Sequence, residues 1–269
     1  MPSYVELTSG QVALAALLLL INGAVSVALR LGLERSLIIA GARTVGQLLL
    51  VGLVLQWVFQ ADRWYVVAAL AAIMTLVAGM TAAQRCQRRY AGIWLDTIVS
   101  VWSSSWLITG FALVAVMRGI DKWYQPQYAI PLLGMVLGNA LNGVSLGLAA
   151  FADTLVGRRA EIEMLLAVGA TRHEAALASI QHAIRTGMTP IINAMTIVGI
   201  VSLPGMMTGQ LLSGVAPVQA VKYQIVIMFL IASATALSTM SAVLLSFRRL
   251  FNHDHQFCHP LLFQRQAGP

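Results

Sequence analysis

The side chains here that could do chemistry are mostly soft or neutral. The segment PIINAMTIVGIVSLPGMMTGQLLSG starts at Pro190. In it Met206 and Met207 offer thioethers, soft ligands for Cu(I) and weaker ones for Fe(II), although methionine also serves as plain packing. They follow Pro204-Gly205 inside an apolar run. Proline removes a backbone donor and glycine loosens a helix, so this stretch should be kinked or broken, with carbonyls freed as ligands if they line a cavity.

Upstream, Asn139 and Asn142 place two amides in the apolar block Ile130–Ala150. They must face protein or a wet cavity, as glue between helices or as part of a substrate path. Gly134 with Gly138, and Gly143 with Gly147, make two small-xxx-small pairs that let helices approach closely. Gln47, four residues after Arg43, adds another polar group, for packing or passage. Near the C-terminus His253, His255, Cys258 and His259 cluster around Asp254. This is either a transition-metal site or a disordered polar tail, and its spacing matches no defined zinc pattern.

No His, Asp, Glu or Cys stands in the middle of an apolar block, which argues against a dry proton relay or a tight buried metal site. Any substrate contact is expected to be weak and transient. There is no G-x-x-x-x-G-K-[ST] and no nucleophile–base–acid set, so the chain is read as having no catalytic residues and no ATPase site.

These groups sit in a very apolar chain. Of 269 residues 58% are hydrophobic and 10% charged, with a mean hydropathy of +0.79. A soluble domain carries about 25% charged residues. Seven blocks are long enough to cross a bilayer as helices: Val12–Leu29, Ala42–Gln60, Trp64–Ala83, Thr97–Met117, Ile130–Ala150, Pro190–Leu212 and Tyr223–Phe247. The expected fold is an all-α polytopic membrane protein. Glu6 and the lack of an early basic residue make the first block a retained span rather than a leader.

Arg30, Arg35, Arg43, Arg85, Arg88, Arg89, Arg158, Arg159, Arg172, Arg185, Arg248, Arg249 and Arg265 fall on one side of these spans. Arg63, Arg118, Lys122 and Lys222 fall on the other. The richer side should be cytoplasmic, which puts the N-terminus outside and the C-terminus inside. The net charge of +7 is then a matter of topology, and nucleic acid is not an expected partner. Trp57, Trp64, Trp94 and Trp123 lie near span ends, as an interfacial belt would. Cys86 and Cys258 fall on the cytoplasmic side and should be reduced thiols.

One loop, residues 151–189, is too long to be a mere connector. Ile162, Leu165 and Leu166 have helical spacing, Gly169 stops that helix, and Thr171 with Glu174 forms a capping box for a second. The result is either a solvated hairpin or a docking element for a soluble motor. Residues 1–250 are read as one transmembrane domain containing this loop, and 251–269 as a disordered cytoplasmic tail.

Glu163 with Gly169-Ala170-Thr171 is similar to the coupling loop of ABC transporter permeases, although Met164 and Leu165 replace its two alanines. Gly138-Asn139-Ala140, the run Val198–Gly209, Ala220–Ile225 and Leu237-Ser238-Thr239 resemble the FetB-type iron-export ABC permease family. The resemblance spans about Arg30 to Arg249. It implies a permease homodimer in a bacterial inner membrane, and export of a transition metal such as iron. A separate ATP-binding subunit would hold ATP and Mg, leaving this chain without a cofactor. It implies partner coupling at Glu163, Gly169, Ala170 and Thr171. A translocation path through Gln47, Asn139, Asn142, Pro204, Gly205, Met206 and Met207 combines this with the polar-group reading. Alternatives are a stand-alone channel or secondary carrier, an ABC permease for a non-metal substrate, and a signalling or assembly protein.

Overall fold

The protein is described from a computed structural model covering residues 8–61, 63–116, 124–252 and 254–264. Glu6, Met117, Arg118, Lys122, Trp123, His253 and Arg265 lie outside the described residues. The chain divides into two compact units. One is the chain up to Arg63 with Leu212–Val215, and the other comprises Trp64–Leu211 and the residues from Ala216 on.

The first unit is a helical hairpin of α1 (Ser9–Ala28) and α2 (Glu34–Ala61). Arg30 and Gly32, both at positive φ, turn the chain between them. Buried Ser26 ties the turn: its Oγ accepts from Leu33 N–H at 3.0 Å and donates to Glu34 Oε2 at 3.1 Å. Both helices are apolar around their circumference and largely exposed, as lipid-facing helices are.

The second unit is a bundle of α3 (Trp64–Arg85), α4 (Ile93–Phe111, extended by π-helical Ala112–Val116), α5 (Pro126–Gly157), α6 (Arg159–Ala167), α7 (Arg172–Ile197), α8 (Gly205–Leu212) and α9 (Pro217–Leu250). Two apolar clusters fill it. One gathers Phe151, Leu155, Ile162, Phe247 and Phe251, and the other Leu132, Val136, Ile227 and Leu230. Between them α5, α7 and α9 touch almost backbone to backbone. A Cβ on Gly187 would sit 2.6 Å from Gly143 O, and one on Gly143 would sit 2.6 Å from Thr235 Cγ2. The Gly143/Gly147 pair is therefore a packing seam, and Gly187 is its unforeseen third member. Nothing lies within 4 Å of a Cβ on Gly138.

Among the described residues six helices are long and apolar enough to cross a membrane: α1, α2, α3, α4 with its extension, α5 and α9. The sixth expected span, Pro190–Leu212, is not a single helix. Its first residues continue α7, which begins at Arg172 in the supposed loop and carries Pro190 inside it. Thr189 Oγ1 bonds Arg185 O at 2.9 Å in the turn leading into Pro190. The helix ends at Ile197, whose carbonyl accepts from Ile200, Val201 and Ser202 around Gly199 at φ +83°. Of the two expected outcomes at Pro204-Gly205, a kink or a break, the structure shows the break: Pro204 stands just before the first residue of α8, in keeping with proline's aptitude for helix starts. At eight residues α8 is about 12 Å long, too short to cross.

The loop reading of 151–189 is corrected in the same way, since α5 runs to Gly157 and α7 covers everything from Arg172. The tail is not disordered over residues 251–252 and 254–264. Phe251 and Phe257 form an antiparallel bridge, and β2 (Phe263–Gln264) pairs antiparallel with β1 (Arg88–Arg89). Phe257 and Leu262 pack on the apolar core, and burying them favours order over a solvated tail.

Candidate coupling and translocation sites

The basic end of the bundle is built around one hinge. The carbonyls that close α6 are satisfied by a Schellman motif: Ala170 N–H donates to Leu165 O at 3.0 Å and Gly169 N–H to Leu166 O at 3.1 Å. Gly169 sits at φ +96°, where a side chain is strained. Two residues on, Thr171 caps α7. Its Oγ1 accepts from Glu174 N–H, while Glu174 Oε2 accepts from Thr171 N–H and Oγ1–H, each at 2.7 Å. The Thr171 N–H foremost holds the Glu174 carboxyl below its ordinary value. Helix, glycine turn and capped helix thus stand where the residue spacing put them.

Glu163 does not reach the turn. It pairs with Arg159 at 2.6 Å on the exposed face of α6, beside the Arg158–Glu161 pair. Ile162 is the buried anchor of α6, while Met164 and Val168 are 58% and 75% exposed. The hinge therefore presents an apolar knob flanked by ion pairs.

The tail reaches back over this hinge. Asn252 O accepts from Arg172 Nη1 and His255 Nδ1 accepts from Arg172 N–H, both at 3.0 Å. Arg159 Nη1 lies 3.3 Å from His259 Nδ1. Rings meet in a row from His173 through Phe247 and Phe251 to Phe257, the first two pairs tilted and the last stacked. Among the described residues no group of three His, Cys, Asp or Glu could hold a metal. His255 and His259 are turned to different arginines instead, Cys258 is a half-buried free thiol, and His253 lies outside the described residues.

Sequence reasoning missed the other fastenings of this end. Asp96, 2% exposed, accepts from Arg249 Nε at 2.7 and 2.9 Å and from Tyr90 O–H at 2.8 Å. Burial, then the Asp96 charge, pushes the Tyr90 phenol above its usual range. Arg88 pairs with Asp153 at 2.8 Å. Only the end-of-helix placement of Asp96 and Arg249 hinted at that pair, and nothing in the sequence links residues 153 apart.

The polar groups assigned to passage scatter. Asn142 is exposed on α5 and accepts from Arg85 Nη1 at 2.6 Å, while Asn139 Nδ2 bonds Met135 O one turn back at 2.9 Å. Gln47 lies exposed on α2, in the first unit. The two adjacent methionines part company: Met206 packs against the apolar cluster of Ile227 and Leu230, whereas Met207 lines a cavity of about 530 Å³ with residues of α7, of α9 and of the turn between α7 and α8.

The match to known proteins runs through both regions. The model of the uncharacterised protein family UPF0014 matches residues 9–251. The chain belongs to this family. A UPF0014 membrane protein of Synechocystis is 39% identical over 84% of this chain and 87% of its own. The probable iron export permease protein FetB of Escherichia coli is 32% identical over 93% and 95%. Protein ALUMINUM SENSITIVE 3 of Arabidopsis thaliana is 32% identical over 91% and 88%. No solved structure matches the chain. The UPF0014 match takes in all six candidate spans, the α6–α7 hinge and the cavity beside Met207.

Proposed function

We propose that this UPF0014 protein is the membrane subunit of an ABC-type exporter of a transition-metal cation. Its hinge between α6 and α7 is where a separate ATP-binding subunit docks, and two copies of the chain form the pore. The observation that carries the reading is the Gly169 hinge. It presents an apolar knob at the basic end of the bundle, and α7 is one 26-residue helix running from that hinge to the cavity beside Met207. The distance along α7 from Arg172 to Met195 is about 35 Å, of the order of a membrane thickness. A push on α6 reaches the far end as a tilt of α7, without a flexible loop to absorb it.

Membership beside a relative named a probable iron export permease supports metal cargo and outward transport. The arginine asymmetry supports a cytoplasmic hinge; with α7 as a seventh crossing beside the six candidate spans, the N-terminus lies outside and the C-terminus inside. ATP and Mg belong to the partner, and this chain supplies no ATPase site.

The test is co-purification from detergent with a co-expressed ATP-binding subunit. The pair should survive Met206→Leu and be lost on Gly169→Val combined with Met164→Asp. Retention of the partner by that double variant, with the chain still folded, contradicts the docking assignment.

A further inference from the structure

The cavity beside Met207 has a chemical character of its own. Its lining brings together Met195 of α7, Met207 of α8 and Met228 of α9, along with Gln224 of α9. The remaining lining, Val198, Leu203, Ile225 and Phe229 among it, is apolar. Three of the chain's 12 methionines, from three helices, thus face one space. All three are half-buried.

Gln224 is the buried member, 6% exposed, and its Oε1 has no hydrogen-bond partner. An acceptor buried without a donor has lost its water and gained nothing in return, so it asks for a cation or a donor in the cavity. Packing alone explains the methionines but not this orphan carbonyl.

We infer that Met195, Met207, Met228 and Gln224 form a binding site for a soft monovalent cation of the Cu(I) type, on the path of the cargo. The deduction rests on ligand type and charge. Thioether sulfur prefers soft cations over hard ones. The four ligands are all neutral and no carboxylate lines the cavity. Desolvating an ion costs steeply more as its charge rises, so a neutral apolar site accepts a single charge far more readily than a double one. The amide oxygen supplies the one hard contact. The site lies about 35 Å from the Gly169 hinge along α7, at the opposite end of the bundle from the tail. This inference rests on the exporter reading for its place in transport, and goes beyond it by naming the cation class and ligands.

The experiment uses Ag(I), a redox-inert stand-in for Cu(I), titrated into the full chain in lipid nanodiscs. A Cys258→Ser background removes the accessible thiol. Ag(I) should bind at least tenfold more tightly than Fe(II) or Mn(II). Met207→Leu and Met228→Leu, which keep volume, should each weaken Ag(I) at least tenfold. Gln224→Glu should move the preference toward the divalent ions. No Ag(I) binding by the unsubstituted chain, or Ag(I) binding unchanged in the Met195→Leu, Met207→Leu, Met228→Leu triple variant, overturns the site. Either result, found while the chain still captures its ATP-binding subunit, leaves the exporter reading standing. Intact Ag(I) binding without capture does the reverse.

Discussion

The seam of α5, α7 and α9 predicts sharply different outcomes for two similar substitutions. A methyl at Gly187 would sit 2.6 Å from Gly143 O and 2.6 Å from Thr239 Cγ2. Ordinary contact begins near 3.4 Å, so a helix must retreat by about 0.8 Å. One of the obstacles is backbone, and no rotamer change relieves it. Overpacking of this kind costs about 1–3 kcal/mol. Alanine also gains up to about 1 kcal/mol of helix propensity over glycine. Gly138→Ala, with open space around its Cβ, gains that propensity and pays no steric cost. The difference between Gly187→Ala and Gly138→Ala cancels the propensity and reads the steric cost alone, about 1–3 kcal/mol. Denaturant titration in mixed micelles, followed by tryptophan fluorescence, measures both. Equal stability of the two variants would refute the backbone-to-backbone packing.

Three further outcomes follow from the basic end. Gly169→Ala places a side chain at φ +96° and should cost about 1–2 kcal/mol, with Gly169→Asn milder because asparagine tolerates that region better; thermal unfolding of both checks it. Burial pushes the Cys86 thiol up to about 11, so a maleimide at neutral pH should label Cys258 and leave Cys86 unmodified, as mass spectrometry of the digested chain would show. The Glu174 carboxyl is depressed in the folded state, so its support for the α7 cap is complete above its ordinary value of 4.5 and fades as pH falls below it. The protection of the Glu174 amide, taken relative to its intrinsic exchange rate at each pH, should fall in acid, and Glu174→Gln, which has no carboxylate to protonate, should remove that acid dependence.

Local signals were legible and distant ones were not. Gly169, Thr171 and Glu174 stand within six residues, and each acts on backbone groups nearby, so their order in the chain already defines the turn. Pro190 misled because it opens an apolar block, and proline often starts helices. Gly187 nearby and the bond of Thr189 to Arg185 O accompany a helix that runs through it. Pro204-Gly205 did mark a break, and the structure sets its near edge earlier, at the turn around Gly199. The tail's order depends on Phe257 finding Phe251, and on Arg172 finding Asn252 and His255, contacts made only in the folded bundle. Met207 stands out in the sequence as a candidate ligand, but Met195, Met228 and Gln224 join it only through the packing of three helices.

Reconstituting the chain with an ATP-binding partner in liposomes, and following transport across Cu(I), Fe(II), Mn(II), Zn(II) and a non-metal control, decides whether it is half of an ATP-driven metal exporter. Transport of a metal is expected only with the partner and hydrolysable ATP present, and should be lost on Gly169→Val with Met164→Asp. Transport by this chain alone, at the same rate without ATP, would contradict it.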